Sequence, residues 1–140
     1  MRSILAAQPV GSETVIVTDL EAGLEHLSRS TSRASEVMLV VAEPYYKSLE
    51  TASRITELAR ELDIPNVYVV ANKVRTSREA DAIEAFCVAR DLELMGTIPY
   101  DEGVMDAELA AQAPLDFCCD GPAMQAIGAL AGRLQAMPMV

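Results

Sequence analysis

Four short apolar runs punctuate the chain: TVIVTDL from Thr14 to Leu20, EVMLVVAEP from Glu36 to Pro44, NVYVVANKV from Asn66 to Val74, and LELMGTIPY from Leu92 to Tyr100. None alternates cleanly between apolar and polar positions. Each therefore reads as a strand buried on both faces, the habit of a parallel sheet covered by helices. Between them the period changes. In KSLETASRITELARELD the apolar positions Leu49, Ala52, Ile55, Leu58, Ala59 and Leu62 recur three or four residues apart, with Glu50, Arg54, Glu57 and Glu61 on the opposite side. A second helix opens with Thr76 and Glu79 in the spacing of a capping box and lines up Ala80, Ile83, Phe86 and Cys87. A short helix is expected around Met105 to Ala111. A last one follows Asp120, Gly121 and Pro122, carries Ala123, Ile127, Leu130, Ala131 and Leu134 on one stripe, and stops before Pro138.

The alternation of strand and helix predicts an α/β fold with right-handed crossovers, a three-layer α-β-α sandwich around a largely parallel sheet. At 140 residues the chain is expected to form one domain spanning residues 1–140. No repeat, linker or low-complexity stretch divides it.

In open parallel sheets ligands sit beyond the carboxyl ends of the strands. Those positions carry Asp19 and Gly23 after the first run, Glu43 and Pro44 after the second, Asn72 and Lys73 at the end of the third, and Pro99, Tyr100 and Asp101 after the fourth. Asp19 in that place binds Mg²⁺ through water, or orients an attacking water, or else caps the helix that follows. Gly23 lets a backbone N–H approach a phosphate oxygen. Asn72 offers a donor and an acceptor to the edge of a nucleobase, and Pro99 with Tyr100 offers an apolar wall to its ring, although Asn and Pro also form simple turns after strands.

Composition narrows the partners. Eleven Lys and Arg against 21 Asp and Glu leave a formal charge of −10, which argues against nucleic acid and anionic lipid as partners. The longest apolar stretch, Val37 to Ala42, is too short to span a bilayer, and MRSILAAQPV lacks the core of a signal peptide, so a cytoplasmic location is expected. The three cysteines, Cys87, Cys118 and Cys119, make no disulfide framework, and with His26 as the single histidine no metal site is expected. Cys87 reads as core and the vicinal pair as packing.

DLEAGLEHLSRST, VVAEPYYKSLETASRITELARELDI, VYVVANKVR and LMGTIPYDEGVMDAEL together resemble the CooC branch of the MinD/ParA-like P-loop ATPases of the SIMIBI class, factors associated with nickel insertion into carbon monoxide dehydrogenase. The likeness runs from about Val15 to Phe117. It implies that Asp19 is the switch II aspartate and catalytic residue, that Gly23 is the glycine of that switch, that Asn72 reads adenine, and that Pro99, Tyr100 and Asp101 flank the base. ATP or ADP with Mg²⁺ is the implied ligand. No G-x-x-x-x-G-K-[ST] pattern, nor its deviant lysine form, occurs in the sequence. The family's Cys-x-Cys is absent as well.

The chain is therefore expected to be a truncated P-loop NTPase-like domain, the C-terminal half of such an ATPase, although Met1 and the Pro138 stop are also those of a complete short reading frame. It is expected to keep the switch and base-recognition segments, to show no hydrolysis by itself, and to act as a homo-oligomer or with an N-terminal P-loop-bearing partner. The alternative is a non-catalytic structural or protein-interaction domain whose strand-end residues are inert.

Overall fold

The computed structural model describes residues 15–20 and 35–137. Within them, β1 (Val37–Ala42), β2 (Asn66–Val74) and β3 (Leu94–Pro99) form a parallel sheet in the order β1-β2-β3. The helices are α1 (Tyr46–Glu61), α2 (Ser77–Ala89), α3 (Glu102–Leu109), α4 (Pro114–Phe117) and α5 (Pro122–Gln135). This is the α/β architecture that the pattern of runs predicts.

The core explains the unbroken apolar runs. On one face Val40, Ala42, Val69, Ala71 and Val74 pack against Leu49 and Ala52 of α1 and Ile83 and Cys87 of α2. On the other, Val70 and Met95 pack against Leu130, with Tyr68, Ile98 and Leu134 around them. β2 is the central strand, so both its faces are buried and its sequence carries no polar alternation. Gly96 makes room for α5: a Cβ there would stand 2.7 Å from Leu130 Cδ2. Arg133 of α5 donates to the carbonyl of Met95.

Three expectations need correction. The run from Thr14 to Leu20 is not a strand over its described part: Val15 to Leu20 has no regular structure, and Val15 and Val17 are 70% and 88% exposed. A β-branched sequence supplies strand propensity but not the hydrogen-bonding neighbour that a strand needs, and Val15–Leu20 pairs with no strand among the described residues. The apolar stripe of α1 also includes Ser53 and Thr56, both buried. Thr56 satisfies its hydroxyl by donating to the Ala52 carbonyl at 2.9 Å. Finally, the last helix buries Ala123 and Leu130, while Ile127 of the same expected stripe is 42% exposed.

The face of β1 on the α5 side also carries exposed apolar residues: Leu39 and Val41, in register with Tyr68 and Val70, are 38% and 59% exposed. The helix packs on β3 and β2. The outer edge of β1 is unpaired among the described residues.

Candidate nucleotide-recognition site

Asn72, Pro99, Tyr100 and Asp101 meet at the carboxyl end of the sheet because β2 and β3 end side by side, with Val74 in register with Pro99. Between Ala71 and Val74 the register slips, so that Asn72 and Lys73 together oppose a single β3 residue. Lys73 takes a left-handed backbone, φ 57°, a conformation that costs a residue with a Cβ about 1 kcal/mol. Two contacts offset this. Asn72 Oδ1 accepts the Lys73 N–H at 3.0 Å, and Lys73 Nζ lies 2.9 Å from Glu43 Oε1 at the end of β1. The hydrogen bond and charge of Glu43 push the Lys73 ammonium pKa up, so it stays protonated at neutral pH. Bulges of this kind re-aim side chains at strand ends.

With Oδ1 engaged by the backbone, the Asn72 Nδ2 group has no partner among the described residues. Tyr100 is half-buried, and its N–H donates to Val74 O at 2.8 Å. Arg75 lies on its ring, with the guanidinium carbon 3.6 Å from the centroid.

Asp101 occupies both its oxygens with backbone. Its Oδ1 accepts the Gly103 N–H at 2.9 Å and its Oδ2 the Ala123 N–H at 3.1 Å, so one carboxylate caps α3 and α5 together. The sequence signal for the first is Asp directly before a helix. The second partner lies 22 positions away and carries no local signal.

Asp19 is exposed and belongs to no regular element. Gly23 and His26 lie outside the described residues, as does Pro138. Cys87 is buried in the core, and burial pushes its thiol pKa up. Cys118 is half-buried with its Sγ 3.3 Å from Pro114 O; desolvation first, then Asp101, keeps its thiol protonated. Cys119 is exposed, and no group of three or more potential metal ligands occurs among the described residues. No helix among them is long and apolar enough to cross a membrane.

No family model matches the chain. An uncharacterised ATP-binding protein of Methanocaldococcus jannaschii is 38% identical over 108 residues, which are 77% of this chain and 42% of that protein. The carbon monoxide dehydrogenase accessory protein CooC of Rhodospirillum rubrum is 33% identical over 121 residues, covering 85% of this chain and 45% of CooC. Among solved structures, the MinD cell division protein of Aquifex aeolicus superposes with a TM-score of 0.65 at 25% identity, over 84% of this chain and 51% of MinD. A ParA family ATPase of Chlorobium tepidum shares the fold, with a TM-score of 0.63 over 78% of this chain and 46% of its own.

Sheet order, crossovers and strand-end geometry define an α/β protein with a P-loop NTPase-like fold. Within that class the chain is CooC-like and of the MinD/ParA type. It spans about half the length of the relatives it matches.

Proposed function

We propose that the chain, as one domain, is the base-recognition part of a CooC-like adenine-nucleotide-binding protein. The observation that carries this is the β2 bulge, which commits Asn72 Oδ1 to the backbone and leaves its Nδ2 donor uncommitted among the described residues, at the strand end that adjoins Pro99 and Tyr100. The ATP-binding relative at 38% identity supports the choice of ligand, and CooC at 33% supports the branch. Asn72 donates to the base edge, Pro99 and Tyr100 wall its ring, and Asp101 holds the turn that carries them. Asp19 and Gly23 take the switch II roles. Mg²⁺ would enter with the nucleotide phosphates, since the described residues offer it no ligand group of their own.

A phosphate-binding loop supplies most of the positioning and charge in phosphoryl transfer. No such motif occurs in the sequence, so turnover requires a P-loop-bearing partner or segment. The uncovered face and edge of β1 are where such a partner, or a second copy, would add. The CooC likeness supports a role in maturing a metal enzyme of the carbon monoxide dehydrogenase type, which we place in the cytoplasm.

The test is nucleotide binding by the chain. Mg-ADP should raise its melting temperature, because a ligand that prefers the folded state stabilises it. Asn72→Asp should weaken binding by about 1–3 kcal/mol: it keeps the acceptor that the Lys73 N–H needs and removes the donor. Phosphate release from Mg-ATP should stay at background. Equal affinity in Asn72→Asp would remove Asn72 from the site, and no thermal shift at saturating Mg-ADP would favour a purely structural interaction domain.

A further inference from the structure

The ring offered to a base is already paired. Arg75 places its guanidinium carbon 3.6 Å over the Tyr100 centroid, well inside the range of about 6 Å for cation–π attraction. Both partners are fixed by their backbones. Tyr100 N–H donates to Val74 O at 2.8 Å, and Arg75 N–H donates to Glu79 Oε2 at 2.6 Å, the carboxylate that also closes the α2 capping box. The side chain of Arg75 has no carboxylate partner within salt-bridge distance among the described residues, and the residue is exposed. The guanidinium thus rests on the tyrosine ring while Arg75 stays exposed to solvent.

A planar cation held flat by an aromatic ring is a surface on which a nucleobase stacks, as arginine planes do in nucleic-acid recognition. We infer that Arg75 is the stacking platform for the purine: the base lies on the guanidinium, the guanidinium lies on Tyr100, and Asn72 addresses the base edge from the same strand end. Tyr100 then acts through Arg75, holding it flat before the ligand arrives. This saves the rotamer entropy that an unsupported arginine would lose on binding. The inference rests on the nucleotide reading above and adds the residue that grips the ring.

The experiment titrates adenosine and, separately, Mg-ATP into the chain carrying Arg75, Arg75→Ala, Arg75→Lys or Arg75→Gln, following chemical shifts by NMR. Thermal unfolding of each variant checks that the fold is kept. Stacking on a base is worth enough that Arg75→Ala should lose roughly ten-fold in affinity for both ligands. Arg75→Lys should lose nearly as much, because an ammonium has no plane. Arg75→Gln, planar but neutral, should recover most of the adenosine affinity and less of that for Mg-ATP. Undiminished adenosine binding by Arg75→Ala overturns the platform, and a loss confined to Mg-ATP overturns it in favour of a phosphate contact. If the unaltered chain binds neither ligand, the nucleotide reading falls and the platform with it; if it binds both and Arg75→Ala matches it, only the platform falls.

Discussion

Asp101 shows how a residue's position and its job come apart. It stands where a base-flanking residue is expected, directly after Pro99 and Tyr100, yet its carboxylate receives the N–H groups of Gly103 and Ala123 and so fastens two helix starts to one turn. Gly121 is packed against it: an added Cβ would meet Asp101 Oδ2 at 2.5 Å and Cys118 O at 3.0 Å. Losing a carboxylate cap costs about 0.5–2 kcal/mol per helix end, so Asp101→Ala should lower unfolding free energy by roughly 1–3 kcal/mol in urea denaturation. Gly121→Ala should do comparable damage by prising the same contact apart. Because both changes break one link, the double variant should be little worse than either single one, and additive losses would show that Gly121 acts elsewhere. Asn72, Tyr100 and Asp101 could be placed at strand ends from the sequence because the apolar runs stop there. The engagement of Asn72 Oδ1 and the second partner of Asp101 could not, since one depends on a bulge and the other on a helix 22 positions away.

Helix ends carry a second regularity. In α1, α2 and α3 the first residue past the C-cap is left-handed: Asp63 at φ 59°, Asp91 at 52° and Ala111 at 52°. The next N–H returns to the helix in each case, Ile64 to Ala59 O, Leu92 to Cys87 O and Gln112 to Ala107 O. These are Schellman closures, which usually employ glycine, built here without it. Ala111→Gly and Asp91→Gly should therefore each stabilise the fold by about 0.5–1 kcal/mol in thermal unfolding, relief of the left-handed penalty exceeding the added chain entropy. A fall in melting temperature for Ala111→Gly would refute the account. Element identity was largely legible: β2 spans Asn66–Val74 as its run does, and the Thr76–Glu79 capping box is formed as spaced. What failed was what periodicity does not encode. Ser53 and Thr56 are buried because α1 faces the sheet there, α4 is too short for a period, and Val15–Leu20 has strand composition with no strand neighbour among the described residues.

At the scale of the molecule, the unfinished side is that of β1. Leu39 and Val41 leave an apolar surface beside a strand edge that bears neither lysine nor proline, the usual guards of such edges. The chain should hide this surface by self-association when no other partner is present, with light scattering at micromolar concentration giving a mass above the monomer. Leu39→Lys with Val41→Lys should return it to the monomer. Added salt should strengthen association of the unaltered chain, since it screens repulsion between copies of charge −10. A monomer under all these conditions would count against the exposed face as an interface.

The order β1-β2-β3 also governs how the chain finds its shape. Side chains that tie one unit to the next close similar spans: Glu43 to Lys73 over 30 positions, Asn66 to Glu36 over 30, Arg90 to Glu50 over 40, Arg133 to Met95 over 38 and Asp101 to Ala123 over 22. Loop-closure entropy grows only with the logarithm of span, so the extremes of this set differ by about 0.5 kcal/mol. Among the described residues no pairing waits for distant ends of the chain to meet. The sheet can be laid down strand by strand as the polypeptide emerges, and whatever later joins the edge of β1 adds to a template already standing.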